Sequence, residues 1–182
     1  ELYNVFENQR LEEENFLLVS VDNFSAFDVI EWEYMFQVLE NFNFGPVMIR
    51  WIKAIYCHGK VESSVLVNGF ISREFPITRG IRQGCPLSPL LYVLCMEPFS
   101  RYIRNDAFVH GVEIFGVAHT IIKYADDTNY LIREFGSLDR IYELSHIFET
   151  ASGAVLRDNK TQILVVENRE DFIVPERYAR YV

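Results

Sequence analysis

The chain has 182 residues, with 26 acidic and 17 basic side chains, a formal charge of −9, and 49% apolar residues including 15 Phe and 10 Tyr. That apolar mass excludes a disordered tail or a collagen-like repeat and suits one domain with a sizeable core. Taken whole, the acidic balance argues against a nucleic-acid partner, because phosphates repel it. In chain order, residues 2–15 read as a weak acidic helix with only Leu2, Phe6 and Leu11 as sparse apolar positions. The apolar run 16–21 ends at Asp22 and reads as a buried strand. From Glu31, the spacing of Met35, Val38, Leu39 and Phe42 predicts a helix with Gly45 as its stop. Pro46 then opens a second helix carrying Val47, Trp51, Ile52, Ile55 and Tyr56.

Residues 61–67 and 70–77 are two β-rich runs joined by Asn68-Gly69, a strong hairpin signal because both turn residues must tolerate positive φ. A glycine-punctuated loop, 78–87, leads to a helix capped by Ser88, with Pro89 at its first position and Pro98 as a kink. A second hairpin is expected from 120–124, the tip Ala125-Asp126-Asp127, and 128–132. Ser137 is expected to cap a helix carrying Leu138, Ile141, Leu144, Ile147 and Phe148, which Gly153 ends. Residues 162–166 form the last strand, and the polar remainder is a tail.

The charge is split along the chain. Residues 1–40 hold ten acidic side chains against Arg10 alone, whereas 46–104 carry eight Lys and Arg against Glu62, Glu74 and Glu97. The middle third is thus open to an anionic partner. Cys57, Cys85 and Cys95 form no C-x-x-C pair and are expected as buried free thiols of a reducing compartment. No apolar run reaches the roughly 20 residues of a membrane helix. The first residues lack the pattern of a signal peptide. The expectation is nucleus or cytoplasm with no membrane partner, and, from the missing initiator Met, a fragment.

Without the inserted helices and first hairpin, the order is strand, helix, two hairpinned strands, helix, strand. That is the α+β, ferredoxin-like β-α-β-β-α-β arrangement, with an antiparallel sheet. Its first and third strands are central neighbours, which brings Asp22 toward Asp126 and Asp127. Like charges 4 Å apart repel by roughly 4 kcal/mol at an effective dielectric of 20. Either one carboxylate protonates or a divalent cation lies between them, and an all-oxygen set selects Mg²⁺ or Mn²⁺ over zinc. Two ions about 3.5–4 Å apart would activate an attacking hydroxyl and stabilise a leaving pyrophosphate. An Asp-Asp pair is also an ordinary polar hairpin tip; the apolar strand on each side and the strand-end Asp22 weigh against that.

Three segments then occur in order: Val21-Asp22-Asn23-Phe24-Ser25-Ala26-Phe27-Asp28, the run from Arg79 through Gln83-Gly84-Cys85-Pro86-Leu87-Ser88-Pro89 to Leu91, and Tyr124-Ala125-Asp126-Asp127. Together they resemble the palm motifs of reverse transcriptases from LINE-type, non-long-terminal-repeat retrotransposons. Ser152-Gly153 through Lys160-Thr161 resembles the family's next motif. The resemblance implies a reverse transcriptase palm over 16–166, between an acidic helix at 1–15 and a tail at 167–182. It implies an RNA-directed DNA polymerase acting on an RNA template, a DNA primer and a deoxynucleoside triphosphate, with two Mg²⁺ ions, or Mn²⁺, as cofactor. Asp22, Asp126 and Asp127 would be the catalytic, metal-holding carboxylates. Phe27 would exclude a ribose 2′-hydroxyl, although a core position is the ordinary fate of a phenylalanine. Arg82, Gln83, Gly84 and Lys160 would meet the nucleotide, and Tyr124 would pack beside the primer end; a surface arginine and a solvated lysine are the plain alternatives.

Some positions depart from the pattern. Ser25 stands where the family usually has lysine, and Asn23-Phe24 is unusual at the strand exit. Only 21 residues precede Asp22 and 16 follow Val166, so fingers, thumb and endonuclease are expected to be missing. The alternative function is therefore a non-catalytic palm remnant that binds nucleic acid or a partner protein. A nucleotide cyclase of related fold is disfavoured by the Arg82–Pro89 run. Oligomeric state is left open.

Overall fold

The structure, a computed structural model, describes residues 15–24, 27–56, 61–124, 127–156, 161–166 and 173–182, with backbone alone at 22–24 and 156. The expected helix at 2–15 lies outside these residues but for Asn15, which is not helical. The chain forms two compact units. Unit 1 comprises Glu1–Phe24, Phe99–Ile147 and Leu156–Val182; unit 2 comprises Ser25–Pro98 and Phe148–Val155.

Unit 1 is built on an antiparallel sheet. Strand β1 (Phe16–Phe24) is flanked by the last strand, Gln162–Val166, and by Asp127–Ile132, beyond which lies Ile121–Tyr124. Alternation sorts the side chains by face, as a pleated strand requires. Leu17, Val19, Val21, Tyr130 and Ile132 are buried on one face. On the other, Phe16, Leu18, Leu131, Ile122 and Val166 pack with Val112 and Ile114. The last described segment also belongs to this unit. Tyr178 is buried and stacks on Phe135 at 5.0 Å, and its hydroxyl donates to Asp139 at 2.6 Å.

Unit 2 holds helices α1 (Trp32–Asn41) and α2 (Pro46–Tyr56) and four two-residue strands, β2 (Glu62–Ser63), β3 (Leu66–Val67), β4 (Phe70–Ile71) and β5 (Phe75–Pro76). Helix α3 (Ser88–Asn105) starts in this unit and continues past Pro98, where the unit boundary falls. The core joins Met35, Phe36 and Leu39 of α1 to Ile49, Ile52 and Tyr56 of α2 and to Leu91, Tyr92 and Cys95 of α3. The expected turn is present: Asn68 has φ 49° and Gly69 φ 84°, so both centres of the hairpin are left-handed.

The remaining elements are β6 (Val112–Ile114), β7 (Val117–His119), β8 (Ile121–Tyr124), β9 (Asp127–Ile132), α4 (Phe135–Ser152), β10 (Val155–Leu156) and β11 (Gln162–Val166). Several details correct the sequence reading. Helix α1 ends before Gly45, because Asn43 already takes φ 57° and Phe42 donates back to Val38 at 2.9 Å. In α2 the buried stripe is Ile49, Ile52 and Tyr56, whereas Val47, Trp51 and Ile55 are exposed. That helix is apolar on two sides, so periodicity alone does not choose between them. Ser137 lies inside α4, fully buried, accepting from the His110 N–H at 2.9 Å instead of capping the helix. The hairpin β6–β7 was not expected; its turn, Phe115 (φ 54°) and Gly116 (φ 75°), puts positive φ on a phenylalanine, which few sequences signal. Gly153 does end α4, at φ 76° and with its N–H on the Glu149 carbonyl at 2.8 Å.

Candidate functional site

The carboxylates belong to unit 1. Strand register sets Asp22 directly opposite Asp127, and Asp127 opposite Tyr124, so the three positions form one row across β1, β9 and β8. One rung back, Ser20 faces both Asn129 and Gln162; the next rung is Leu18 with Leu131 and Leu164. This face therefore grades along β1 from an apolar end packed against β6 to a polar end at the carboxylates. Asp127 is exposed and Tyr124 is 84% exposed. Of the expected set, Asp126 and Lys160 lie outside the described residues. Among the described residues, no group of three or more His, Cys, Asp or Glu gathers to hold a metal.

Of the residues expected to meet the nucleotide, Phe27, Arg82, Gln83 and Gly84 belong to unit 2. Phe27 is partly buried and stacks on Tyr92 of α3 with ring centroids 4.6 Å apart, so α3 fixes its ring. The turn 27–32 grips the loop 79–83 along its length. The Ile81 N–H donates to the Phe27 carbonyl at 2.6 Å, and the Gly80 N–H to that of Ile30 at 2.8 Å. The indole N–H of Trp32 donates to the Gly80 carbonyl at 2.7 Å, and Arg79 pairs with Glu31 at 3.4 Å. At the loop tip, Gln83 Nε2 donates to Asp28 Oδ1 at 3.0 Å. Such close approach requires glycine at position 80. Its φ is 92°, and a Cβ there would stand 2.7 Å from the Asp28 carbonyl oxygen.

Arg82 is exposed, and its carbonyl accepts from the hydroxyl of Ser88, which ties the loop to the start of α3. Gly84 has φ 82° with open space around it. A cavity of about 630 Å³ in this unit is walled by the same loop, Arg79 to Gln83, together with Asp28, Trp32 and Tyr56. Sequence reasoning had not given Asp28 or Tyr92 a role. The signal for Asp28 was available, since Asp28 directly follows Phe27 in the quoted motif, but a partner 55 residues away is visible only in the fold.

The two described cysteines differ in chemistry. The Leu87 N–H, with help from Ser88 and the Arg82 charge, holds the Cys85 thiol below its ordinary range against a smaller desolvation effect. Burial pushes the Cys95 thiol up to about 12. The thiolate is the nucleophile, so Cys85 retains reactive form at lower pH than a free thiol does. Brief iodoacetamide treatment near pH 7.5, read by peptide mass spectrometry, is expected to alkylate Cys85 and spare Cys95. Equal labelling of the two in the folded chain would contradict this environment.

Comparison with known proteins bears on both halves. The family model described as reverse transcriptase (RNA-dependent DNA polymerase) matches residues 4–176. The chain is 29% identical over 158 residues to the "Transposon TX1 uncharacterized 149 kDa protein" of Xenopus laevis, covering 86% of this chain and 12% of that protein. It is 26% identical over 110 residues to the Pol polyprotein of the type-2 retrotransposable element R2DM of Drosophila melanogaster, covering 60% and 10% of the two chains. The chain thus spans about a tenth of the length of the relatives it matches. Among solved structures, telomerase of Candida tropicalis bound to a fragment of telomeric RNA is similar, with TM-score 0.61 and 11% identity over 91% of this chain and 28% of that one. The apo telomerase of the same organism gives 0.59 and 13%, covering 93% and 34%. At these identities the likeness concerns the fold: a mixed α/β chain with antiparallel sheets.

Proposed function

The chain belongs to the reverse transcriptase family, in its LINE-type, non-long-terminal-repeat branch, and on that premise we propose that it is the polymerase palm, extending a DNA primer along an RNA template. The observation that carries the proposal is the strand register that pairs Asp22 with Asp127 beside Tyr124. Both β10 and β11 pair with β1 on the side away from β9 and β8; with β11 as the fourth strand, this is the 4-1-3-2 order of a β-α-β-β-α-β core, which supports the ferredoxin-like reading over 16–166.

Asp22, Asp126 and Asp127 are the residues that would hold two Mg²⁺ ions, or Mn²⁺. Their donors are all oxygen, and aspartates paired in register across neighbouring strands suit a hard divalent cation. When bound, the ions supply activation of the primer 3′-hydroxyl and charge stabilisation of the leaving pyrophosphate. The protein's own part is positioning. Phe27, held by Tyr92, closes the sugar side of the pocket against a 2′-hydroxyl. Gln83 and Arg82 face the nucleotide from the clamped loop, Gly84 allows close backbone approach, and the family resemblance assigns Lys160 to the triphosphate. Tyr124, exposed beside the carboxylates, packs under the primer end.

The direct test is incubation of the chain with poly(rA)·oligo(dT), labelled dTTP and Mg²⁺ or Mn²⁺, beside Asp126→Asn. Extension that the substitution abolishes is expected. No extension with either metal would reduce this chain to a non-catalytic palm. In an active polypeptide, Phe27→Ala is expected to admit UTP in place of dTTP, because the bulk opposing the 2′-hydroxyl is gone. Unchanged sugar discrimination would remove Phe27 from that role.

A further inference from the structure

Four of the contacts between 27–32 and 79–83 hold backbone or pair at the rim of the loop. The fifth joins two exposed side chains, Gln83 Nε2 and Asp28 Oδ1, at 3.0 Å. A solvent-exposed bond of this kind adds little to stability. Its consequence is orientation. An ionised carboxylate only accepts hydrogen bonds, so the Gln83 amide must turn its NH₂ toward Asp28 and its Oε1 away. The backbone on both sides leaves little freedom to lose this geometry, since Phe27 and Ile30 bind Ile81 and Gly80 directly.

We propose that Asp28 is a positioning residue that fixes the Gln83 amide in one orientation, presenting Oε1 as an acceptor for a donor group of the incoming nucleotide. The proposal rests on the polymerase reading for the identity of the ligand. It distinguishes position 28 from a merely structural one by a chemical criterion. Asn at 28 keeps the size and can still bond Gln83, but its NH₂ can donate to Oε1 and invert the amide. Ala releases the amide altogether. Glu retains an acceptor-only group.

The test has an arm that needs no turnover. In the ¹⁵N-labelled chain, the side-chain amide pair of Gln83 is assigned by its loss in Gln83→Glu. It is expected away from the position of solvent-exposed glutamines, and to collapse onto that position in Asp28→Ala. Titration with dTTP and Mg²⁺ is expected to shift the pair, with affinity weakened about tenfold in Asp28→Asn, the effect of one lost hydrogen bond, and partly restored in Asp28→Glu. Where the chain extends primer, the same variant is expected to raise KM for dTTP while leaving kcat within about twofold, because uniform binding is lost. A Gln83 pair already at the exposed position, a pair that dTTP leaves unmoved, or Asp28→Asn equal to wild type in dTTP affinity would each overturn the inference. Failure to extend primer would count against the polymerase reading alone, and the amide spectrum and titration would still decide Asp28.

Discussion

Asp127→Asn is expected to melt at a higher temperature than the wild-type chain in the absence of divalent ions, while abolishing nucleotide addition. Residues directly opposite on antiparallel strands are neighbours, and like charges there are destabilising. Asp127 stands opposite Asp22, and the sequence puts Asp126 beside it. Removing one charge relieves that repulsion, and a gain of about 1–3 °C is the scale for a chain of this length. Salt screens the repulsion, so the gap is expected to narrow at high ionic strength. Mg²⁺ is expected to close the gap as well, by raising the melting temperature of the wild type and not of the variant. Calorimetry with and without Mg²⁺ reads all of this. A variant that melts at or below the wild type without metal would show that the row carries no electrostatic strain.

The second large effect is structural. Gly80→Ala is expected to lower stability by about 3 kcal/mol, combining a left-handed residue with a Cβ driven into backbone. The added atom would sit 2.7 Å from the Asp28 carbonyl oxygen and 3.0 Å from its carbon, neither of which moves without dragging the turn 27–32. A fall of about 6–12 °C in melting temperature follows for a domain of this size. Gly84→Ala is the control. It shares the positive φ but meets nothing within 4 Å, so it should cost only the backbone strain, roughly 1–2 kcal/mol. Equal losses in the two variants would remove the steric account of the clamp.

Local chemistry made much of this chain readable before its fold was known. Asn68-Gly69 announced a turn because few pairs accept two positive φ values, and Gly153 announced the end of α4 for the same reason. The apolar run 16–21 announced β1, although its graded face and the strands beside it depended on topology. Other features depended on partners distant in sequence. Ser137 has the profile of a helix cap, yet the fold uses its hydroxyl on His110, 27 residues away. Phe115 offers no propensity for a left-handed turn, so β6–β7 was hidden. The clamp was hidden too, since the reason for Gly80 is a carbonyl of residue 28 and not its own neighbours.

The opposed carboxylates carry the functional assignment, and Mn²⁺ reports on them directly because it broadens nearby nuclear resonances. In the ¹⁵N-labelled chain, substoichiometric Mn²⁺ is expected to erase the backbone signals of Val21, Asp22, Asp127 and Thr128 first. The same titration of Asp22→Asn/Asp127→Asn should leave those signals in place. Broadening spread evenly over the acidic surface, or identical in the double variant, would contradict a metal-holding row at the end of β1.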